Sequence, residues 1–319
     1  MSGSTEPLEK IVEGNRASPA GGRWRRVASQ ARREDARIAR LLVASAVVIT
    51  VALVLYPLVL GFKSSLEAGG AATGTPTHFV GLRNYGDVLK DPEARSAVLH
   101  TLRYVALALV LEITLGVAIA VVLHRVFRGR GIVLAVLILP WALPSVVSGV
   151  LWRRVFDPDS GLLNSALMHL HIINHPIVWL ASNVWALTFI TLVHVWGVLP
   201  LVSLIFLAGL QSIPEEVYSA SAVDGASSLR QFWHITLPLL RPSMAVALTV
   251  GTILGIGIFD EIFVLNGTAQ NTRSILMQVY NTTFANADFA HGTALAFLLA
   301  AVTALFALVF VLVNRRSTT

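Results

Sequence analysis

The sequence predicts an all-α integral membrane protein, a bundle of six membrane-crossing helices with a helical loop on the cytoplasmic side. Three observations carry that prediction. The 319 residues are 55% hydrophobic and 13% charged, with mean hydropathy +0.70, a composition far too apolar for a soluble domain. Six stretches reach the roughly 20 apolar residues that a helix needs to cross hydrocarbon. Between the fourth and fifth lies a polar, sharply punctuated island, "EEVYSASAVDGASSLRQFWHITLP", from Glu215 to Pro238.

The spans run approximately over Leu41–Phe62, Tyr104–His124, Ile132–Trp152, Val184–Leu210, Ser243–Leu265 and Thr293–Val313. Such long uninterrupted runs exclude the weak alternating pattern of a membrane barrel. Residues 1–40 form a basic N-terminal tail, 41–313 the membrane domain and 314–319 the C-terminal end. Cysteine is absent, which excludes disulfides and thiolate metal sites and leaves the compartment unread by redox chemistry.

Orientation follows from the basic residues, which are retained in the cytoplasm near span ends. With the N-terminus inside, cytoplasmic segments collect nine Lys and Arg in the tail, three in "HRVFRGRG", Arg230 and Arg241 in the island and Arg315 and Arg316 at the end, the majority of the 24. Both termini and the island are therefore expected in the cytoplasm. The tail "RWRRVASQARREDARIAR" is polar for too long to be a cleaved signal, so the first span is expected to remain as a signal-anchor. Its charge reads as attraction to anionic lipid head groups, not as a nucleic-acid interface.

The island reads as a helix, a turn and a second helix. Ser212-Ile213-Pro214-Glu215 has the Ser-x-x-Glu pattern in which hydroxyl and carboxylate satisfy backbone N–H groups at a helix start. Ile213, Val217 and Ala220 fall on one face. Gly225, after Asp224, is able to take the left-handed conformation that ends a helix. Ser228-Leu229-Arg230-Gln231 repeats the capping logic, and Pro238 and Pro242 punctuate entry to the fifth span. The small residues Ser219, Ala220, Ser221, Ala222, Gly225 and Ala226 suit insertion into a cleft of another protein; equally, they suit packing of the loop on its own bundle.

With these residues in view, "IPEEVYSASAVDGASSLRQFWHITLPLLRP" resembles the cytoplasmic coupling loop of ABC transporter permeases that work with a binding protein. In that family the loop carries Glu-Ala-Ala, then a Gly and an Ile-x-Leu-Pro. Asp224, Gly225, Ala226, Ile235, Leu237 and Pro238 match. "FVGLRNYGDVL", "GRGIVLAVLILPWALPSVVSGVLWRRVFDPDSGLLN" and "LAGLQSIP" are similar to the sugar-importing branch, the maltose and glycerol-phosphate type, so the resemblance covers most of the chain. It implies a type I importer permease bundle of six spans in the cell membrane. It also implies as partners a second homologous permease, two ATP-binding subunits that hold the ATP and magnesium, and an extracytoplasmic substrate-binding protein. One position departs: the Glu-Ala-Ala stretch reads Ser219-Ala220-Ser221 here. The family Glu can pair with a basic residue of the ATPase; Ser219 cannot, which passes any such pairing to Glu215 or Glu216.

The chain itself is expected to bind no cofactor and to catalyse nothing. A phosphate-cradling loop needs Gly-x-x-x-x-Gly-Lys-Ser/Thr, and none of the three lysines, Lys10, Lys63 and Lys90, follows a glycine. No catalytic or metal-ligand arrangement stands out in the spans.

Ionisable groups inside spans cost about 2.5–3.5 kcal/mol near the centre on insertion scales, which makes each a candidate for the substrate pathway. Glu112 interrupts the second span, His194 and Trp196 lie in the fourth, and Asp260 with Glu261 closes the fifth. For Glu112 and His194 a buried hydrogen bond between helices is the competing role, for Asp260 a solvated carboxylate. Asp260 also matches the family's Phe-Asp near the outer end of this span. Pro140 and Pro144 are expected to break the third span and Pro200 the fourth, while Gly251, Gly255 and Gly257 permit close helix contact in the fifth. Two function classes remain: one permease half of an ATP-driven importer of a carbohydrate or related polar solute, and a secondary transporter driven by an ion gradient. The coupling loop separates them, because an ion-driven carrier needs no dock for an ATPase.

Overall fold

The computed structural model describes residues 20–70 and 74–315; residues 1–19 of the expected tail and the last four residues lie outside them. The chain falls into two compact units, residues 1–61 and 62–319. The first is built on helix α1 (Ala20–Ser65). Its part from Ala39 to Ser65 is long and apolar enough to cross a bilayer. Residues 20–40, read as tail, continue the same helix: their Ala, Arg and Glu are strong helix formers with nothing to stop the run.

The second unit begins with a small antiparallel ribbon, β1 (Glu67–Gly70) on β2 (Thr75–Phe79), and a short helix, α2 (Arg83–Lys90). The buried Asn84 amide donates to the carbonyls of Ser65 and Glu67, each at 2.9 Å. Helix α3 (Pro92–His124) then starts three turns before the predicted span. Its start is fixed by Asp91, whose carboxylate accepts from the N–H groups of Glu93 and Ala94, and by Pro92, whose ring pre-sets the first helical φ.

The third span is broken. Helices α4 (Arg130–Ala142) and α5 (Ser145–Val155) meet at 101° across Leu143 and Pro144. Pro144 alone makes the break, since it disfavours the helical conformation at Leu143; Pro140 is carried inside α4. Beyond α5, the exposed Asp157 carboxylate accepts from the N–H and hydroxyl of Ser160 and from the N–H of Asp159. These bonds hold it below the usual carboxylate range, the Ser160 N–H contributing most. Helix α6 (Leu162–His169) and a loop lead to α7 (Asn183–Gln211), capped by Ser182 and unbroken across Pro200. The expected break there is absent: the buried Pro200 is carried inside the helix, where contacts with neighbouring helices and small local adjustments tolerate a missing backbone bond.

Helix α8 (Glu215–Val223), a turn at Gly225 and α9 (Ser228–Gln231) form a helical hairpin. A π turn (Phe232–Thr236) and α10 (Leu237–Leu239) carry the chain into α11 (Arg241–Ile256), bent by 64° from the preceding helix. The predicted fifth span stops early. Gly257 ends α11, and Asp260 opens a new helix, α12 (Asp260–Asn266), so Asp260 and Glu261 begin an element instead of closing one. A 3₁₀ turn (Gln270–Thr272), α13 (Ile275–Tyr280) and a second π turn (Asn281–Ala285) lead to α14 (Phe289–Arg315). Among the described residues there are four straight helices able to cross a bilayer and six spans when each bent pair counts as one.

The most extensively packed pair is α3 with α7. Lipid gives helices no hydrophobic reason to associate, so close packing of small residues does the work. A Cβ on Gly116 would meet Val202 and Phe206 of α7; one on Gly255 would meet Val105. Gly257 makes no such contact, its nearest neighbours being backbone oxygens of its own helix. One buried cluster gathers Tyr104, Ile190, Ile258, Ile262 and Met277. A second gathers Val117, Leu123, Val202, Phe206 and Leu240 toward the α8–α9 end.

Candidate functional site

Two places gather the candidate residues: the α8–α9 hairpin and a polar cavity inside the bundle. In the hairpin, Gly225 has φ +77°. The Ala226 N–H bonds the Ser221 carbonyl at 2.9 Å and the Gly225 N–H that of Ala222 at 3.0 Å. This is the paired closure that a left-handed glycine permits at a helix end. The expected capping boxes are not there. Ser212 ends α7 and donates to the Gly209 carbonyl at 2.7 Å, leaving Pro214 as the residue before α8. The cap of α9 is Ser227, whose hydroxyl accepts from the Arg230 N–H. Of Ile213, Val217 and Ala220, expected on one face, Ile213 is half-buried against the second cluster while Val217 and Ala220 are exposed. Tyr218 and Ser221 turn inward: the Tyr218 hydroxyl lies 3.0 Å from the Thr236 hydroxyl, and Gln231 Nε2 donates to Ser221 Oγ at 2.9 Å and to the Tyr218 carbonyl.

This polar seam locks the two helices into one body and leaves the other face outward. Glu215, Glu216, Ser219, Ala220, Asp224 and Gly225 are exposed, Ser221 and Pro238 half-buried. Ser219 Oγ donates back to the Glu215 carbonyl at 3.1 Å. Glu215 and Glu216 fall in the first turn of α8, where the helix dipole favours negative charge. Sequence reasoning passed over Val223, 88% exposed beside the turn, and the exposed Leu229 and Trp233. Apolar side chains presented beside a rigid turn suit burial in a partner protein, and their clustering around Gly225 was the available signal.

The cavity, of about 270 Å³, lies between the break of the third span at Leu143–Pro144 and the interruption of the fifth between α11 and α12. Its walls come from the end of α4 (Pro140, Trp141, Leu143), the start of α5 (Ser145, Ser148), α7 (Val193, His194, Gly197, Val198), the end of α11 (Leu254) and the stretch from Gly257 to Glu261. Irregular backbone at membrane depth persists only where it is buried in protein or faces a cavity, and paired broken helices mark the sites of transport proteins.

Four of the five candidate pathway residues meet here. His194 Nδ1 lies 3.2 Å from Glu261 Oε1, and its Nε2 faces Glu112 Oε1 at 4.0 Å. Asp260 lines the same cavity. Glu112 is only 1% exposed, and neither of its oxygens has a hydrogen-bond partner among the described residues. Its carboxylate lies against Gly251, where a side chain would collide with it. Trp196 is elsewhere: its ring stands edge-on to Trp152 at 5.6 Å, outside the cavity wall. Trp141, Ser145 and Ser148 complete the wall without a sequence signal of their own, because hydroxyls and aromatics are common in any span.

Broken apolar spans around a polar cavity, joined to an outward helical hairpin, define a multi-pass membrane subunit of a transport system. The chain belongs to the family of binding-protein-dependent transport system inner membrane components, which it matches over residues 112–318. It is 32% identical over 280 residues to the trehalose transport system permease protein SugA of Mycobacterium tuberculosis, spanning 88% of this chain and 89% of that one. It is likewise 32% identical over 290 residues to the trehalose/maltose transport system permease protein MalF of Thermococcus litoralis, spanning 90% and 97%. A solved bacterial ABC transporter involved in import of the acidic polysaccharide alginate has a chain with the same fold, at TM-score 0.75 and 23% identity, covering 92% of this chain and 100% of that one. The chain is thus an ABC importer permease, and the ion-gradient alternative finds no support.

Proposed function

We propose that this permease forms half of the translocation pathway for a neutral disaccharide or related carbohydrate, delivered from outside by a binding protein. A second homologous permease supplies the other half. Two ATP-binding subunits hold ATP and magnesium and grip the α8–α9 hairpin through Glu215, Glu216, Ser219–Ser221, Asp224 and Gly225. Pro238 fixes the hairpin's return to the membrane. Both termini and the hairpin lie in the cytoplasm, the cavity of His194, Asp260 and Glu261 lies on the solute's path, and the chain has no enzymatic activity of its own.

The single observation that carries this reading is the hairpin: two short helices tied by Tyr218, Ser221, Gln231 and Thr236, closed by a left-handed Gly225, with the opposite face bare. A body that stiff transmits a rigid movement of its partner to α7 and α11. The trehalose and maltose in the relatives' names support the solute class.

The test is reconstitution in lipid vesicles with and without the partner subunits. The complete assembly is expected to take up trehalose with ATP and binding protein, and the permease alone to hydrolyse no ATP. Hydrolysis by the isolated chain, or uptake of trehalose without the ATPase, would contradict the reading.

A further inference from the structure

We infer that the cavity between the two broken spans is an electrostatic filter that admits uncharged or cationic hydroxyl-rich solutes and turns away anionic ones. Asp260 and Glu261 are its specificity-determining residues. The inference rests on the reading of this cavity as part of the solute's path and goes beyond it in assigning a charge class.

Two carboxylates and one imidazole line the cavity, with neither lysine nor arginine among the described residues of its walls. A third carboxyl group, Glu112, lies behind His194, outside the cavity wall, with its oxygens unbonded among the described residues. His194 therefore supplies at most one positive charge against the two carboxyl groups of the wall, and Glu261 already takes its Nδ1 at 3.2 Å. Two guanidinium groups on neighbouring elements lie outside the cavity wall. Arg153 donates to the Val264 carbonyl, while Arg273 donates to Glu93, Gln278 and the Thr268 carbonyl.

A cleft lined by one sign of charge in a low-dielectric surround focuses its field and changes the local concentration of ions by about 10- to 1,000-fold. Sugar hydroxyls bring donors, and ionised carboxylates are acceptors only, so an uncharged sugar finds partners where an anion finds repulsion. Trp141 and Phe259 add aromatic faces against which the C–H faces of a sugar ring can lie.

The absence of native cysteine permits a direct measurement. Ser145, exposed on the cavity wall, is changed to Cys in the complete transporter. Its rates of reaction with trimethylammonium-ethyl and sulfonato-ethyl methanethiosulfonate are each divided by the rate with free mercaptoethanol. The normalised cation-to-anion ratio is expected to exceed about tenfold. Adding Glu261→Gln or Asp260→Asn should lower it by about threefold each, and the two together should bring it near one.

Raising the ionic strength to about 1 M should collapse the ratio without any further variant, because the screening length shrinks to about 3 Å. A normalised ratio near one, a preference for the anionic reagent, no reaction with either, or indifference to both carboxamide changes would overturn the filter. Uptake of trehalose by the parent transporter is read separately, so failure of the importer reading and failure of the filter are distinguishable.

Discussion

The imidazole of His194 holds the carboxylate of Glu261 at 3.2 Å, tying the unbroken α7 to the short helix that follows the break in the fifth span. Behind it, Glu112 of α3 stands 4.0 Å from the other ring nitrogen. Removing the ring leaves both carboxyl groups inside the bundle without their basic neighbour. His194→Ala is accordingly expected to cost about 3 kcal/mol of stability, because one partner of a buried pair is lost and the other stays. Glu112→Gln keeps the shape and the neighbouring ring, and should cost less. Thermal unfolding of the assembled transporter measures both; a His194→Ala protein as stable as its parent would show that the three groups do not interact.

Gly251 lets α11 approach α3 at the level of Glu112. A Cβ there would strike the Glu112 carboxylate and Leu109 Cδ2, the latter at 2.8 Å. Gly251→Ala should destabilise by about 1–3 kcal/mol through overpacking. Combining it with Glu112→Ala makes room, so the double variant should be more stable than the sum of the single losses by at least about 0.5 kcal/mol. Simple additivity would mean that the clash is relieved elsewhere.

Topology is tested with single cysteines in a chain that has none. With both termini inside, a cysteine at Ser160, in the turn after α5, is expected to label from outside intact cells with an impermeant reagent. One at Ser227, in the α8–α9 hairpin, is expected to label only after the membrane is opened. The reverse pattern would invert the whole assignment of sides.

Ser219 stands exposed on α8 where the family's loop carries Glu, and its hydroxyl donates to the Glu215 carbonyl of its own helix. Ser219→Glu should shift stability by no more than about 0.5 kcal/mol and leave ATPase assembly intact. Loss of the ATPase on co-purification would show that the cleft receiving this hairpin excludes a longer side chain.

Much of the bundle was legible in the sequence because a helix in lipid must satisfy its own backbone, which writes long apolar runs into the chain. The Asp-Gly turn was legible for a similar local reason: few residues other than glycine take a positive φ without strain. What depends on neighbours was not. Pro144 breaks its span while Pro140 and Pro200 are absorbed, and nothing in the dipeptides distinguishes them; packing around each residue decides. Tandem Ser227-Ser228 offers two caps, and only the path of the chain selects the first. Glu112, His194 and Glu261 were each conspicuous as costly groups in apolar runs, yet their meeting is a property of how α3, α7 and α12 cross. Trp196, uncharged and two residues from His194, packs against Trp152 instead.

If the α8–α9 hairpin is the dock through which an ATPase moves this permease, Gly225 is the residue whose change reveals it. A Cβ there meets nothing within 4 Å, so Gly225→Val acts through backbone strain alone, about 1–3 kcal/mol at φ +77° for a β-branched residue. The measurement is uptake of trehalose by the reconstituted transporter, taken together with the amount of ATPase that co-purifies. Gly225→Val is expected to insert normally, bind its ATPase more weakly and lose uptake. A Gly225→Val transporter with a full complement of ATPase and parental uptake would place the coupling somewhere else in the molecule.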